Sequence, residues 1–198
     1  MKYTGNQSNA TIGHNLSYAP EMIIAKSTTV AQNWAVYHKD VGNQYWLQLN
    51  SDSARITEAI WQNTTPTNSV FSLNGNVIIN KSSSTNIAYC FHSVAGFSKV
   101  GSYTGNGNAT GPIITTNFEP GFLMIKAITA AGESWVIYDS ARNTSNPRNC
   151  QIRPNTNGAE GCSSDSIDFN STNFQLKSSW PGFNGNNSTY MYLAIKEN

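Results

Sequence analysis

The second half of this chain repeats its first, and that limits its possible folds more than any other feature. Tyr3-Thr4-Gly5-Asn6 returns as Tyr103-Thr104-Gly105-Asn106, and Asn9-Ala10-Thr11 as Asn108-Ala109-Thr110. Residues 20–26 align with 120–126, 34–37 with 135–138, 70–73 with 173–176, and 84–91 with 188–195. The blocks keep their order, and their spacing drifts little. Self-similarity of this kind marks a structural unit copied in tandem. Each half of the 198 residues is long enough to close a core of its own. Two homologous domains are therefore expected, 1–97 and 98–198. They meet in the short, partly apolar stretch 94–101, which is unlike a freely flexible Gly/Ser linker.

Within each half, short runs of β-branched and aromatic residues are bounded by Gly, Asn, Ser and Pro, which reads as strands and turns. The candidates are 21–26, 34–38, 45–50, 70–73, 77–80 and 86–92 in the first half. In the second they are 113–116, 121–127, 135–138, 150–153, 174–177 and 190–196. The fold class that follows is all-β, two tandem β-sandwich or jelly-roll-like domains. The unbroken apolar run in 86–92 suits a strand covered on both faces. Asn74-Gly75 and Asn184-Gly185 suit hairpin turns, and Trp34 and Trp135 are expected to anchor the two cores. Segment 53–61, with Ile56 and Ile60 four apart, reads as a loop, with a short helical turn as the alternative.

Charged residues make up only 12% of the chain and the net charge is +1. Gripping a nucleic-acid backbone needs clustered Lys and Arg, and none cluster here, so no nucleic-acid partner is expected. No apolar segment approaches the roughly 20 residues of a spanning helix, so no membrane insertion is expected. Neutral partners remain, sugars or other proteins. The first residues lack the apolar core of a secretory signal, and the Asn-x-Ser/Thr sequons are what an Asn/Ser/Thr-rich chain produces by composition. Cys90, Cys150 and Cys162 are too few for a disulfide framework. The expectation is folding in a reducing cytosol, with pairing of Cys150 and Cys162 left open.

The motif Tyr-Thr-Gly-Asn, a Pro-led strand ending in Lys, and Trp-x-apolar-Tyr occur with residues 97–107 and Tyr138-Asp139-Ser140-Ala141-Arg142-Asn143. Together they resemble a duplicated β-domain of unassigned function. That domain is found in tail-fibre-like and other virion proteins of bacteriophages, marine and cyanobacterial phages especially. The resemblance spans nearly the whole chain and is most specific over 97–143. It implies a non-enzymatic structural protein of the virion, assembled in the host cytoplasm, of the tail-fibre or receptor-binding type. Such a protein attaches to a host surface glycan or to neighbouring virion subunits. By resemblance a homotrimer is expected. The alternatives are a capsid decoration protein and a lectin-like domain of a cell-surface protein.

Residues suited to chemistry are sparse. His14, His38 and His92 sit in separate segments without metal-ligand spacing, and we read them as hydrogen-bonded surface residues. Glu160, Asp165 and Asp168 form an acidic stretch that we read as a solvated loop rather than a cation site. No Gly-x-Ser-x-Gly elbow occurs, and Cys90 lies in an apolar strand where a thiol is inert. Asp139 with Asp168 is a pair of the kind a glycoside hydrolase would need, a reading we disfavour because two small domains offer little room for a long groove. No catalytic residue, metal or cofactor is expected. The candidate binding residues are Trp180 and Phe183, read as exposed on a loop, Tyr190, and Arg142. Arg142 is either a hand for a carboxylate or sugar acid or the partner of Asp139, which caps the turn.

Overall fold

The structure is a computed structural model that describes residues 1–197. It divides into two compact units, one of Met1–Asn50 with Arg55–His92, the other of Ser51–Ala54 with the chain from Ser93 onward. The division falls ahead of Val94, which bridges to Ser98 and so belongs to the start of the second unit.

The first unit runs β1 (Lys2–Thr4), β2 (Ala10–Gly13), β3 (Met22–Ser27), β4 (Ala35–His38), β5 (Tyr45–Gln48), β6 (Ile56–Thr57), β7 (Val70–Leu73), a helical turn α1 (Val77–Asn80), and β8 (Thr85–Phe91). One sheet has the order β1-β8-β3-β4-β5-β6, and β2 pairs with β7 in a second. Side chains alternate across a strand. Ile23 and Ala25 of β3 and Ala35 and Tyr37 of β4 thus face Phe71 and Leu73 of β7, with Trp46, Trp61 and Ile79 filling the interior.

The second unit runs β9 (Ser98–Thr104), β10 (Ile113–Thr115), β11 (Pro120–Ala127), β12 (Val136–Asp139), β13 (Arg148–Gln151), β14 (Gly161–Asn170), β15 (Asn173–Leu176), a helical turn α2 (Pro181–Asn184), and β16 (Thr189–Lys196). Its sheets have the orders β12-β11-β16-β9 and β10-β15-β14-β13. Leu123, Ile125, Val136, Tyr138, Tyr190 and Tyr192 from the first sheet pack on Ile167, Phe169, Phe174 and Leu176 from the second. The sandwich interior is rich in aromatic rings. Tyr103 stacks on Tyr190 at 5.2 Å between centroids, and Phe174 meets Tyr192 edge-on at 5.3 Å.

The repeat reappears in the topology. The order β1-β8-β3-β4 matches β9-β16-β11-β12, β2-β7 matches β10-β15, and α1 matches α2. Each copy is closed by the same clasp. The hydroxyl of Tyr3 donates to Ile79 O at 2.8 Å, and that of Tyr103 to Phe183 O at 2.7 Å. Asn80, buried at the end of α1, accepts from Asn6 N and donates to Ser8 O and Asn74 O. Asn184 accepts from Asn106 N and donates to Asn108 O and Ser178 O. A Cβ on Gly5 would lie 2.2 Å from Lys81 O, and one on Gly105 2.4 Å from Gly185 O, so only glycine lets the strand cross the turn this closely. The copies differ between strand four and the strand before the helical turn. In the first unit this segment extends the larger sheet as β5 and β6; in the second it extends the other sheet as β14 and β13.

Several sequence expectations change. Val77-Ile78-Ile79-Asn80 is a helical turn rather than a strand, because Asn76 caps it by accepting from Ile78 N at 2.8 Å. Asn74-Gly75 and Asn184-Gly185 flank the helical turns and close no hairpin. In 53–61 a two-residue strand precedes a turn. Strand β8 is interior to its sheet, yet Tyr89 on it is 46% exposed, so the run is covered on one face there. Trp135 is buried but Trp34 only half-buried, and the rings filling the first core are Trp46 and Trp61. The strands β1, β2, β6, β9 and β14 have no counterpart among the sequence candidates.

Candidate functional site

The aromatic residues singled out in the sequence lie inside the sandwich. Phe183 and Tyr190 are fully buried in the second core, and Trp180 is half-buried against it. The expectation of an exposed loop fails because residues 181–184 form α2, whose turn points Phe183 inward between Tyr138 and Trp180. The Tyr190 hydroxyl donates to Pro181 O at 2.5 Å and accepts from Gly185 N at 2.7 Å, so its polar end is committed to holding that turn.

Arg142 is equally committed. Its backbone N–H and Nε donate to the two oxygens of Asp139, at 2.9 and 2.6 Å. Nη1 pairs with Glu160, and Nη2 donates to Ile137 O at 3.2 Å. Of the two readings, the turn cap with its paired arginine is the one found. The acidic stretch is dispersed likewise: Glu160 on Arg142, Asp165 accepting from Ser178 Oγ at 2.5 Å, Asp168 at 3.6 Å from Lys177. His14 and His38 are buried rather than on the surface. His14 Nε2 faces Thr67 O at 3.0 Å while its Nδ1 accepts from Leu16 N, and His38 Nδ1 accepts from Asp40 N at 3.2 Å. His92 lies against Tyr18 at 5.1 Å between ring centroids, the rings tilted by 35°.

Cys150 and Cys162 are joined by a disulfide. Among the described residues, their sulfurs and a Glu160 oxygen form the group close enough to suggest a metal site, but disulfide sulfurs are not thiolate ligands. The disulfide joins β13 to β14, where Cys150 faces Cys162 and Gln151 faces Gly161. The loop beyond is fastened elsewhere too. Ile137 and Ile152 exchange backbone hydrogen bonds, and Asn155 Oδ1 accepts from Trp135 N at 3.0 Å. Thr156 turns back on Arg153, its N–H and hydroxyl both donating to Arg153 O.

This loop walls a pocket of ≈ 310 Å³ lined by Gln151, Arg153, Thr156, Gly158, Ala159 and Gly161. Two of these groups have unused capacity. Gln151 is only 4% exposed, and its Oε1 has no hydrogen-bond partner in the protein. The Arg153 guanidinium lies 5.2 Å above the Trp180 ring, and among the described residues it forms no ion pair with a carboxylate. Trp180 is itself held in place, since its N–H donates to Ser178 Oγ at 3.0 Å. At this distance the ring face attracts the cation. Sequence reasoning chose Trp180 without its arginine, and Arg142 rather than Arg153. The available signal was the stretch Arg153-Pro154-Asn155-Thr156-Asn157-Gly158, a turn-rich loop between two cysteines.

A second pocket, in the first unit, is lined by Met1, His14, Leu16, Ala88, Tyr89, Cys90 and Phe91. Burial pushes the Cys90 thiol up to about 11, so no reactive thiolate forms near neutral pH.

Fold and site together define a duplicated β-sandwich protein with a pocket on its second copy. Over residues 1–198 the chain matches the family described as Domain of unknown function (DUF7483), and it belongs to that family. One family spans both units, so the duplication is part of the family's own architecture. No curated protein and no solved structure matches the chain.

Proposed function

We propose that the protein is a non-catalytic virion protein of the tail-fibre or receptor-binding type, which attaches the particle to a glycan on the host surface. The observation that carries this reading is the pocket at Gln151, Arg153 and Thr156. It sits on the segment where the two copies differ, and its lining carries Arg153, which pairs with no carboxylate among the described residues. An amide, a guanidinium, a hydroxyl and small residues can hold a polar ligand. They supply neither a nucleophile beside a base nor a pair of carboxylates. The low surface charge suits a neutral or weakly acidic polymer, and the resemblance of residues 97–143 to phage virion domains supplies the setting. Neighbouring virion subunits, including copies of this chain in a homotrimer, are the other partners in this reading.

Immunogold labelling of purified particles tests it. Label at the tail supports the proposal, whereas label spread over the shell replaces it with a capsid decoration role. The purified protein should also block adsorption of the phage to its host, and the Arg153→Ala protein should not.

A further inference from the structure

The two copies differ at a second place, the edge of the sheet that carries β8 in one and β16 in the other. In the second copy β9 runs along β16 from Thr104, opposite Thr189, to Ser98, opposite Ile195. In the first copy β1 covers β8 only from Thr4, opposite Thr85, to Lys2, opposite Ile87, after which Met1 exchanges backbone hydrogen bonds with Ala88. The registers are the same: Tyr3 faces Asn86 as Tyr103 faces Tyr190, and residues 84–91 align with 188–195. Val100, Lys99 and Ser98 stand opposite Leu193, Ala194 and Ile195. Among the described residues, no strand stands in their place opposite Tyr89, Cys90 and Phe91.

We propose that this stretch of β8 is an acceptor edge for an extended segment of a partner protein, which adds as a strand antiparallel to β8 and in line with β1. The backbone is set for it. Alternate residues of an antiparallel ladder bond to the same neighbour. Ala88 bonds to Met1, so Cys90 turns its N–H and C=O to that same side, while Phe91 O accepts from Glu21 N on the other. Among the described residues no backbone group reaches Cys90 there, and Cys90 is only half-buried. The space is present too, a pocket of ≈ 270 Å³ whose walls include Met1, His14, Leu16 and Tyr89 to Phe91. Tyr89 is 46% exposed, whereas its counterpart Leu193, with Val100 beside it, is 2% exposed. An open edge of this kind is a template for pairing, and strand addition is a recurrent mode of protein recognition.

The second copy also shows what the occupant is like. Val100 is buried, so the residue beside Tyr89 is aliphatic. Lys99, opposite Ala194, is half-buried, so the residue opposite Cys90 has a long, unbranched body, and Ser98 makes the next one small. The residue opposite Cys90 is not proline, because it has to donate to Cys90 O. None of this depends on the pocket at Arg153, and either reading can fail without the other.

The test titrates the full chain, isotope-labelled for NMR, with the free peptide Ala95-Gly96-Phe97-Ser98-Lys99-Val100, which carries the second copy's own occupant. The amides of Tyr89, Cys90 and Phe91 should shift with a dissociation constant of about 1 mM, and the Cys90 amide should exchange more slowly with solvent. The same peptide carrying Lys99→Pro should bind about five- to tenfold more weakly, since it has lost the donor to Cys90 O. The change sits in the peptide, so the fold of the protein is untouched. Joining the peptide's residues ahead of Met1 should fill the edge within one chain, slow exchange at Cys90 and abolish binding of the free peptide. Absence of a shift, shifts confined to other surfaces, or equal binding of the proline peptide overturns the proposal. So does undiminished binding of the free peptide to the extended chain.

Discussion

At the scale of single residues, Asn80 and Asn184 show why the motif Tyr-Thr-Gly-Asn occurs twice. Each closes a clasp that needs one acceptor and two donors on a short arm, a set that an amide provides and a carboxylate or an alkyl group does not. Asn184→Ala and Asn80→Ala should each lower the unfolding free energy by about 2–4 kcal/mol in urea titrations, since at least three bonds are lost and buried partners are left bare. Asn184→Asp should cost at least as much, because aspartate keeps the acceptor but loses both donors. Lys126 shows the opposite case, a charge held where it is disfavoured. Its side chain is fully buried with Nζ donating to Asp52 O and Glu133 O. Burial pushes its ammonium down to about 8, although the Asp52 and Glu133 carboxylates pull the other way. Below pH 8 folded and unfolded chains both carry the proton, and the burial penalty is fully present. Between about 8 and the ordinary 10.5 the unfolded state holds more protons, so stability rises with pH. Buried tyrosines act in the other direction above 10. Burial raises Tyr37 to about 12, and the stability it confers is lost as pH rises beyond its ordinary 10.0. Stability measured by denaturant should therefore climb from pH 8 to 10 and then fall, and Lys126→Met should flatten the climb.

At the scale of elements, the sequence was readable where apolar residues alternate and was opaque where polar residues take a strand's place. Strands β3, β4, β7, β11 and β15 follow their apolar residues closely. Strand β14 begins Gly161-Cys162-Ser163-Ser164-Asp165-Ser166, and only Ile167 and Phe169 mark it as a core strand. Its partner β13 carries Arg148, buried over the Phe169 ring at 4.8 Å, a residue type that reads as surface. Phe183 was misread because its short helical turn has no periodicity long enough to detect. The repeat itself held the answer. The spacing that pairs Ser84 with Ser188 also pairs Ile79 with Phe183, and both are buried in their cores. The β13–β14 pair depends on its crosslink, whose ends are 12 residues apart. Replacing Cys150 and Cys162 by Ser should lower stability by about 3 kcal/mol, the loop-closure value for a ring of this size. It should also broaden the NMR resonances of residues 152–160. Arg142→Ala, in the turn between β12 and β13 and partly exposed, should cost no more than about 1 kcal/mol.

At the scale of the whole molecule, each unit has its own core, yet the second one is not contiguous in sequence. Residues 51–54 group with it, and Asp52 O accepts from both Lys126 Nζ and Gly132 N, at 3.2 and 3.1 Å. No sequence pattern announces this, because a lone backbone carbonyl in a polar stretch carries no signature. A fragment starting at Ser93 should keep a β-type circular dichroism spectrum but melt below the second transition of the intact chain, by roughly 4–8 °C for each kcal/mol lost. The clasp also bears on how such proteins diversify. The helical turn, the crossing glycine and the strands beside them recur in both copies, whereas the stretch between strand four and the strand before the turn differs, giving Trp46 and Trp61 to one core and Ile167 and Phe169 to the other. That stretch can change which sheet it joins, acquire a crosslink or alter what it presents to solvent, while the frame around it stays shut. The frame thus works as a socket with an exchangeable cartridge.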